Sequence, residues 1–320
     1  MSKGLKILLI IASALVVVGF GVFITVLVIN DFDISKLNSN RYETNTYYIS
    51  EDFSNIKIDV EVSNVSFIKT EEEQVKIVCN ESERNKYNIA VEDDALVIKA
   101  SWQSGWQQFF TFFSFKKEML EVYLPKATYN RLEVKNDVGH VLIPKEFTFT
   151  NLQVTSSTGN TELYASANEI VMEMDTGNIK LDSINADNIN LKTSTGRHTL
   201  TNVTATNNIT LRSDTGTIDL TKIRAVNLTA KAETGRLKLN DVIVSNKLNL
   251  TTSTGSVILT DSDAEEIYIE TSTGTVKGTL LSPKIFHATS ELGRVKVPKT
   301  TTGGKCEIET ETGSITIEIK

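Results

Sequence analysis

Apolar and polar residues alternate along most of this chain, and short bends interrupt the alternation at regular intervals. In the segment ITLRSDTGTIDLTKIRAVN, residues 209–227, apolar side chains occupy Ile209, Leu211, Ile218 and Leu220. A period of two is typical of β-strands with one buried face. The segment therefore predicts two or three short strands that are separated by bends and share one apolar side.

Equivalent segments follow one another along the chain, each with a glycine at the bend. The bend glycines are 18 to 20 residues apart, a spacing typical of solenoids. A single coil cannot bury its apolar side alone, so successive coils must stack and pair their strands in parallel. The pattern predicts an all-β fold, a single-stranded parallel β-helix (β-solenoid), and the preference of parallel connections predicts a right-handed one. The bend glycines are Gly139, Gly159, Gly177, Gly196, Gly216, Gly235, Gly255, Gly274, Gly293 and Gly313.

The bends have a characteristic composition. A threonine precedes the glycine in all copies except those with Val138 and Leu292. Glycine accepts the positive φ angles of tight bends, which would be costly for a side chain, so we predict a structural role for all these glycines. Asparagines late in the coils predict an asparagine ladder across the stack. They are Asn188, Asn207, Asn208, Asn227 and Asn246.

The N-terminal region differs from everything after it. Residues 7–29 carry no charge and are numerous enough to cross a bilayer as a helix. Lys3 and Lys6 precede this run, and Asp31 and Asp33 follow it, which places the N-terminus in the cytoplasm. A cleaved signal peptide would have a shorter apolar region and a small-x-small cleavage site, whereas this run ends VLVIN. We predict a retained single-pass anchor in the cell membrane, with the solenoid outside the cytoplasm.

The chain divides into an anchor and one extended domain. The segment NIKIDVEVSNVSFIKT alternates like the later coils, with Asn64 where a glycine would stand. We therefore interpret the region before the regular repeats as the start of the same solenoid with longer loops. The predicted parts are a cytoplasmic N-terminus (1–6), a transmembrane anchor (7–29), a linker (30–44) and the solenoid (45–320), with irregular first coils (45–138) and regular repeats (139–320).

Charge and cysteine content narrow the range of functions. The chain has 33 basic and 40 acidic residues and a net charge of −7, which argues against nucleic-acid binding and against broad adsorption to anionic lipid. Cys79 and Cys306 lie near opposite ends of the predicted stack. A disulfide needs Cα atoms within about 7 Å, so we predict that these cysteines do not pair.

Two sets of residues are of types that serve in catalysis or metal binding, but their spacing argues against both roles. The tripeptide DTG at Asp175 and at Asp214 resembles that of aspartic proteases, where two carboxylates share a proton. Here the two aspartates fall two coils apart, about 10 Å, at a position that elsewhere holds serine or glutamate. The three histidines fall on separate coils and cannot converge on a metal ion. We predict no catalytic residue, no cofactor and no metal site. The histidines are His140, His198 and His287.

An aromatic segment, SWQSGWQQFFTFFSFKK at residues 101–117, is not explained by the repeat. Several of its aromatic residues recur at helical spacing. One hypothesis is that the segment caps the open end of the solenoid and covers strand edges that would otherwise aggregate. The other is that it contacts the membrane interface or a partner. The residues at helical spacing are Trp102, Trp106, Phe109, Phe110 and Phe113.

Several of these features occur together in one known family. The strings EMLEVYLPK and LEVKNDVGHVLI, followed by recurring S/D-T-G-x-I-x-L coils, resemble the bacterial "putative adhesin" family of unknown function. The resemblance extends over roughly residues 45–320. It implies a membrane-anchored β-solenoid at the cell surface, and it supplies no catalytic residues.

The sequence as a whole predicts a non-enzymatic, extracytoplasmic solenoid that presents a binding or scaffolding surface at the cell envelope, as an adhesin would. Its partner would be an envelope polymer or a membrane protein. An alternative is an accessory protein of envelope-stress sensing that acts through membrane partners. A carbohydrate-active enzyme is a third hypothesis, because parallel β-helices host such enzymes. The scattered charges and the short loops after Gly139 argue against it.

Overall fold

The structure, a computed structural model, describes residues 3–29, 32, 43–81, 85–102 and 119–320. It contains one helix and twenty strands. Helix α1 spans Lys3–Ile29. The strands are β1 Glu43–Ile49, β2 Asn55–Val62, β3 Asn64–Lys69, β4 Val75–Glu81, β5 Asn85–Glu92, β6 Ala95–Trp102, β7 Met119–Leu124, β8 Thr128–Ile143, β9 Thr148–Leu163, β10 Ser166–Asp182, β11 Asn185–Thr195, β12 His198–Thr215, β13 Ile218–Thr234, β14 Leu237–Thr254, β15 Val257–Thr273, β16 Val276–Leu280, β17 Lys284–Leu292, β18 Val295–Lys296, β19 Gly304–Thr312 and β20 Ile315–Ile319.

Strands β8 to β16 form the regular middle of a parallel β-solenoid of about nine turns. Each coil is named here by its bend glycine. The glycines form a column: a Cβ atom on Gly235 would lie 1.6 Å from the carbonyl oxygen of Gly216, and one on Gly255 would lie 1.7 Å from that of Gly235. The predicted fold class is confirmed, and the glycines allow the coils to approach each other closely.

The core is a continuous stack of aliphatic side chains. In the Gly216 coil, Ile209, Leu211, Ile218, Leu220 and Ile223 are each at most 1% exposed. These are the positions that the alternating pattern predicted to face inward. Truncating one such side chain to alanine costs about 2–5 kcal/mol in a well-packed core, so every coil depends on the coils above and below it.

Two faces of the solenoid meet at the glycine column. We call the strand residues before the bend glycine the first face and those after it the second face. Residues at equivalent positions form rows; for example, Asp219, Lys238 and Ile258 are successive partners on the second face. The predicted asparagine ladder is present, with an Nδ2–Oδ1 distance of 3.0 Å from Asn227 to Asn208. It joins Asn188, Asn208, Asn227 and Asn246, whereas the predicted member Asn207 lies one position outside this row.

A second column of bends lies at the far end of the second face. Its residues have φ angles between 48° and 59°, in the left-handed region. Asparagine and aspartate tolerate this conformation better than other side chains do, because they hydrogen-bond locally. Lys222 lacks that advantage. The column consists of Ser183, Asn202, Lys222, Asp241 and Asp261.

The N-terminal end of the stack contains antiparallel strands. The first coil, β2 and β3, pairs in parallel with β8. The prediction that Asn64 stands in place of a bend glycine is wrong by one residue, because Ser63 lies below Gly139 and Asn64 falls opposite His140. Strands β6 and β7 add one further parallel layer. Strand β5 pairs antiparallel with β6 through a turn at Asp93 and Asp94, whose φ angles are positive, as two-residue hairpins require. Strand β4 pairs antiparallel with β7, and strand β1 pairs antiparallel with β4.

At the C-terminal end the coils do not stack in sequence order. A Cβ atom on Gly313 would lie 1.9 Å from the carbonyl oxygen of Gly274, and one on Gly293 would lie 1.9 Å from that of Gly313. Strand β19 pairs in parallel with β15 on one side and with β17 on the other. The Gly313 coil is therefore inserted between the Gly274 and Gly293 coils.

Helix α1 is long and apolar enough to cross a membrane. An 18-residue stretch within Gly4–Ile29 has a mean hydropathy of 3.0, and none of that stretch is buried against the rest of the protein. Length and composition of this kind fit either a membrane anchor or a signal sequence.

Candidate binding groove on the second face

An open groove of about 740 Å³ crosses the second face of the Gly159 to Gly216 coils. Glycines at the bends and short threonine side chains leave space between the longer side chains of Glu162, Lys180 and Arg197. We call this the second-face groove. Its lining residues are Asn160, Thr161, Glu162, Asn178, Ile179, Lys180, Thr195, Gly196, Arg197, Thr199, Thr215, Gly216 and Thr217.

Asparagine side chains give the groove a fixed edge just after the bends. The backbone N–H and the Nδ2 of Asn178 both donate to Oδ1 of Asn160, at 3.0 and 2.9 Å. The backbone N–H of Arg197 donates to Oδ1 of Asn178 at 3.1 Å. Each amide thus satisfies the backbone of the next coil and is held in one orientation by that bond, which pre-organises it.

Charged groups in the groove hold one another in their ionised forms. The hydroxyl of Tyr164 donates to Glu162 at 2.6 Å, and Lys180 and His140 lie within 3.7 Å of the same carboxylate. The Tyr164 hydrogen bond, supported by Lys180 and His140, lowers the pKa of Glu162. The Nζ of Lys180 donates to the Tyr164 hydroxyl at 2.8 Å, and this bond raises the pKa of Lys180.

These pKa directions indicate what the groove can do. A general acid or base works best with a pKa near the operating pH. The pKa of Glu162 moves further below neutrality and that of Lys180 further above it. Both groups are therefore charged throughout the neutral range, an arrangement suited to recognising a polar ligand.

The ten predicted bend glycines all lie in one column, and Gly196 and Gly216 also line the groove. A Cβ atom on any of them would fall 1.5–2.0 Å from a backbone carbonyl oxygen of the coil beneath. The φ angles of Gly139 and Gly235 are 145° and 158°. Close approach of stacked backbones is common to the whole column, so it explains the requirement for glycine more fully than the bend conformation does.

The predicted aromatic contact falls largely outside the described residues. Trp106, Phe109, Phe110 and Phe113 lie there, and Trp102 is the last residue of β6. Strand β6 lies over β2 and β7 lies over β3, with Asn64 opposite Met119. Strands β6 and β7, which flank residues 103–118 in the sequence, therefore belong to one layer, above the coil that bends at Ser63.

The other side chains considered for chemistry lie apart. Asp214 accepts a hydrogen bond from Arg212 at 3.1 Å on the first face. Asp175 borders a separate cavity of about 170 Å³ two coils away. His198 points into the core, where its Nε2 lies 3.0 Å from Oγ1 of Thr193. Within the described ranges, no group of three or more histidine, cysteine or acidic residues could hold a metal ion.

Both cysteines are free and buried, Cys79 in β4 and Cys306 in β19. Burial raises the pKa of each thiol to about 12. Thiolates are the reactive form of cysteine, so both side chains act as packing groups in the folded protein.

The groove residues Asn160, Glu162, Lys180 and Arg197 are missed by reasoning from the sequence alone. The available signal is the residue after the bend glycine, which is asparagine at Asn160 and Asn178 and arginine at Arg197, Arg236 and Arg294. In the sequence these residues look like ordinary turn residues, and only the strand register shows that they form rows on one face.

The fold and the groove define a class of protein, a β-solenoid that presents a polar face and carries an apolar N-terminal helix. The chain belongs to the Toastrack DUF4097 family, whose model matches residues 53–240 and 206–320. This family match confirms the resemblance that the sequence predicted, to a family of unknown function. No curated protein matches the chain.

Two solved structures illustrate the likeness. A "putative adhesin" from Bacteroides fragilis is 19% identical, with 74% of this chain and 97% of that chain covered and a TM-score of 0.48. A "putative lipid binding protein" from Parabacteroides distasonis is 16% identical, with 74% and 96% covered and a TM-score of 0.51. At 16% identity the likeness to the second structure shows a shared fold alone, so the ligand of this chain has to be inferred from its own residues.

Proposed function

We propose that this protein is a non-enzymatic, adhesin-like solenoid that presents a binding or scaffolding surface at the cell envelope. The observation that carries the proposal is the second-face groove, whose amides and charges are held in place by a stack of β-coils. A rigid polar surface of this kind binds with little loss of conformational freedom. The family and the adhesin descriptions of similar folds support this function.

Helix α1 supports a retained anchor as the means of placing this surface. The uncharged run follows Lys3 and Lys6 and precedes Asp31 and Asp33, which favours a cytoplasmic N-terminus. Protease added to intact cells should then degrade the solenoid and spare the helix. The mature protein should keep its N-terminal mass and stay in the membrane after an alkaline wash. Release of a shortened protein would contradict the anchor and leave the binding role untouched.

Crosslinking tests the binding role directly. The full chain is crosslinked on intact cells and recovered together with what it binds. The variant Asn178→Ala/Arg197→Ser should lose the bound material, because it removes the ordered amide and the cation of the groove. The first-face variant Asn190→Ala/Arg212→Ser is the matched control and should retain it.

The material recovered by crosslinking distinguishes the two candidate roles. Recovery of an envelope polymer supports adhesion, and recovery of a membrane protein favours the accessory role in stress sensing. Equal recovery by both variants would show that the groove is not the binding surface.

The aromatic segment is the second element that we propose to act at the envelope, as a cap of the solenoid or as a contact with the membrane or a partner. The change Trp106→Ser/Phe110→Ser separates these roles. Loss of cooperative unfolding supports the cap, whereas a folded protein with weaker binding to liposomes supports membrane contact. Gln107→Ser/Gln108→Ser alters the same segment without removing aromatic rings and should leave both properties unchanged.

A further inference from the structure

The two faces of the solenoid differ in charge once the register is known. On the first face the last coils present Glu270, Glu291, Glu307, Glu309 and Glu311. On the second face, the rows one and three positions after the bend glycines carry many of the cations. We call six of these the cation stripe: Arg197, Arg236, Lys238, Lys277, Arg294 and Lys296. The overall net charge of −7 therefore conceals a face of opposite sign.

From the Gly196 coil onward, the stripe follows every second coil. Its members lie in the Gly196, Gly235, Gly274 and Gly293 coils. Lys180 lies in the same rows one coil earlier, where it is bound to Tyr164 and Glu162, and it is not counted in the stripe. The intervening Gly216, Gly255 and Gly313 coils place neutral or acidic residues in the same rows, such as Asp219, Ile258 and Thr316. Stacked strands are about 4.8 Å apart, so successive cations are about 10 Å apart along the rod.

The inserted C-terminal coil preserves this spacing. Thr316 of the Gly313 coil pairs with Lys277 on one side and with Lys296 on the other. If the coils stacked in sequence order, the Gly293 coil would lie directly on the Gly274 coil, and the last step would be about 5 Å. The insertion therefore extends one regular row of charges to the end of the rod.

Most of the stripe is available to a ligand. Arg236, Lys238, Lys277 and Arg294 are exposed, and none of them makes an ion pair within the part of the chain that the structure describes. The remaining two make contacts that solvent weakens: Arg197 lies 3.7 Å from Asp219, and Lys296 lies 3.5 Å from Glu318. The stripe begins inside the second-face groove, at Arg197.

We propose that the cation stripe binds a linear anionic polysaccharide that carries one carboxylate on every second sugar. Two sugars of an extended polysaccharide advance the chain by a length similar to two coils, so such a polymer can lie along the rod with its charges in register. Hydroxyl groups of the intervening coils, on Ser256 and Ser314, lie where the neutral sugars would pass. This inference rests on the proposed function and names the ligand class of the same face.

The spacing and the shape disfavour other polyanions. A nucleic-acid strand carries a phosphate at every nucleotide, which is a closer spacing than the stripe offers. A membrane is a plane of charge, and the acidic first face beside the stripe would be repelled by it. A single polymer chain can contact the stripe and avoid the first face.

The test uses the full chain in a neutral detergent and fluorescent hyaluronan oligosaccharides, which carry a carboxylate on alternate sugars. We expect salt-sensitive binding, and we expect Arg236→Ser/Lys238→Ser/Lys277→Ser to weaken it about tenfold, since exposed ion pairs each contribute modestly. Lys99→Ser/Lys145→Ser/Lys192→Ser removes the same charge from exposed positions elsewhere and should change affinity less than about twofold.

A charge-conserving variant tests the spacing itself. Ile258→Lys/Lys277→Ser moves one cation by a single coil, since Ile258 is the row partner of Lys277. It should bind as weakly as Lys277→Ser alone. Binding equal to the unmodified protein would show that the spacing does not matter and would overturn the proposal.

Other results would also overturn it. These are no binding to hyaluronan, equal losses in the two triple variants, or equally tight binding of single-stranded DNA, anionic vesicles or polygalacturonate, which has a carboxylate on every sugar. If hyaluronan does not bind but crosslinking on cells still recovers a partner through Asn178 and Arg197, only the ligand class fails. Loss of both results would remove the proposed function as well.

Discussion

The middle of the solenoid and its C-terminal end are built from the same coil but ordered differently. From Gly139 to Gly274, each bend glycine rests on the glycine of the preceding coil in the sequence, apart from Gly139 itself, which rests on Ser63. At the end, Gly313 rests on Gly274, and Gly293 rests on Gly313. The comparison shows that the repeat determines the shape of a coil but not its position in the stack.

Residues that break the repeat account for the order at the end. Lys284 and Asp263 occupy buried positions, and their Nζ and Oδ1 atoms are 2.8 Å apart. Asp263 lies in β15 and Lys284 in β17, the strands on either side of β19, and the β19 residue opposite Lys284 is Gly304, which has no side chain. Lys320 joins the inserted coil to Asp261 through an ion pair of 2.6 Å. These contacts stabilise the order in which the Gly313 coil lies between its neighbours.

The largest effect should come from the glycine column. A Cβ atom in Gly235→Ala would lie 1.6 Å from a carbonyl oxygen in the middle of the stack, and we expect a loss of about 5 kcal/mol or more. Gly293→Ala affects the terminal coil, which can lift away, so its loss should be about 1–2 kcal/mol. Denaturant unfolding measures both, with exposed Thr234→Ala as a control near zero. Equal losses for the two glycines would contradict the difference between middle and end.

The buried ion pair should rank next. Lys284→Met leaves the Asp263 carboxylate buried without its partner, which costs about 3–5 kcal/mol. Asp263→Leu/Lys284→Met removes both charges and should recover most of the loss. Because only the end of the stack is affected, the thiol of Cys306 should react faster in Lys284→Met, while that of Cys79 should not. If the Cys79 thiol also reacted faster in Lys284→Met, the two ends of the solenoid would unfold together, which would contradict this prediction.

A buried histidine should make the middle sensitive to acid. Burial lowers the pKa of His198 to about 4, below the value of about 6.5 expected when unfolded. The stability associated with neutral His198 is complete above pH 6.5 and is lost as the pH falls towards 4, by up to about 3 kcal/mol.

The substitution His198→Ile should remove that part of the pH dependence, because the row partners of His198 are Ile179 and Ile218. Unfolding curves between pH 4 and pH 8 provide the measurement. His287→Ile is the control at an exposed position and should keep the pH profile of the unmodified protein. An unchanged profile in His198→Ile would assign the acid sensitivity to other groups.

The smallest effect should come from the left-handed column. Lys222 has a φ angle of 55° at a position where Asn202 stands in the preceding coil. Lys222→Asn should therefore stabilise the protein by about 0.5 kcal/mol, measured as a rise in Tm. Lys145→Asn changes an exposed lysine outside that column and should give no rise; a gain in both would point to net charge as the cause.

The sequence predicts much of the middle and little of the ends. Alternation identified inward residues such as Ile209 and Leu220, and the spacing of the glycines identified the column. The position of the Gly313 coil was not predictable from the repeat, because every coil presents a similar edge to its neighbours. A lysine at an inward position, Lys284, is the one signal for it. The groove could not be predicted for a related reason: in the sequence Asn178 and Arg197 look like ordinary turn residues, and only the strand register shows that they lie side by side.

The inserted coil has a consequence for how the protein is made. A ribosome delivers residues 284–296 before residues 304–319, so the outer coil exists before the coil on which it rests. Until residues 304–319 are synthesised, β17 and β18 of the outer coil lack their partner strands β19 and β20, and the unfinished solenoid exposes unpaired strand edges. The pairing of β17 and β18 therefore waits for residues 304–319, and a nascent chain interrupted near Val297 would leave these strands open to proteases.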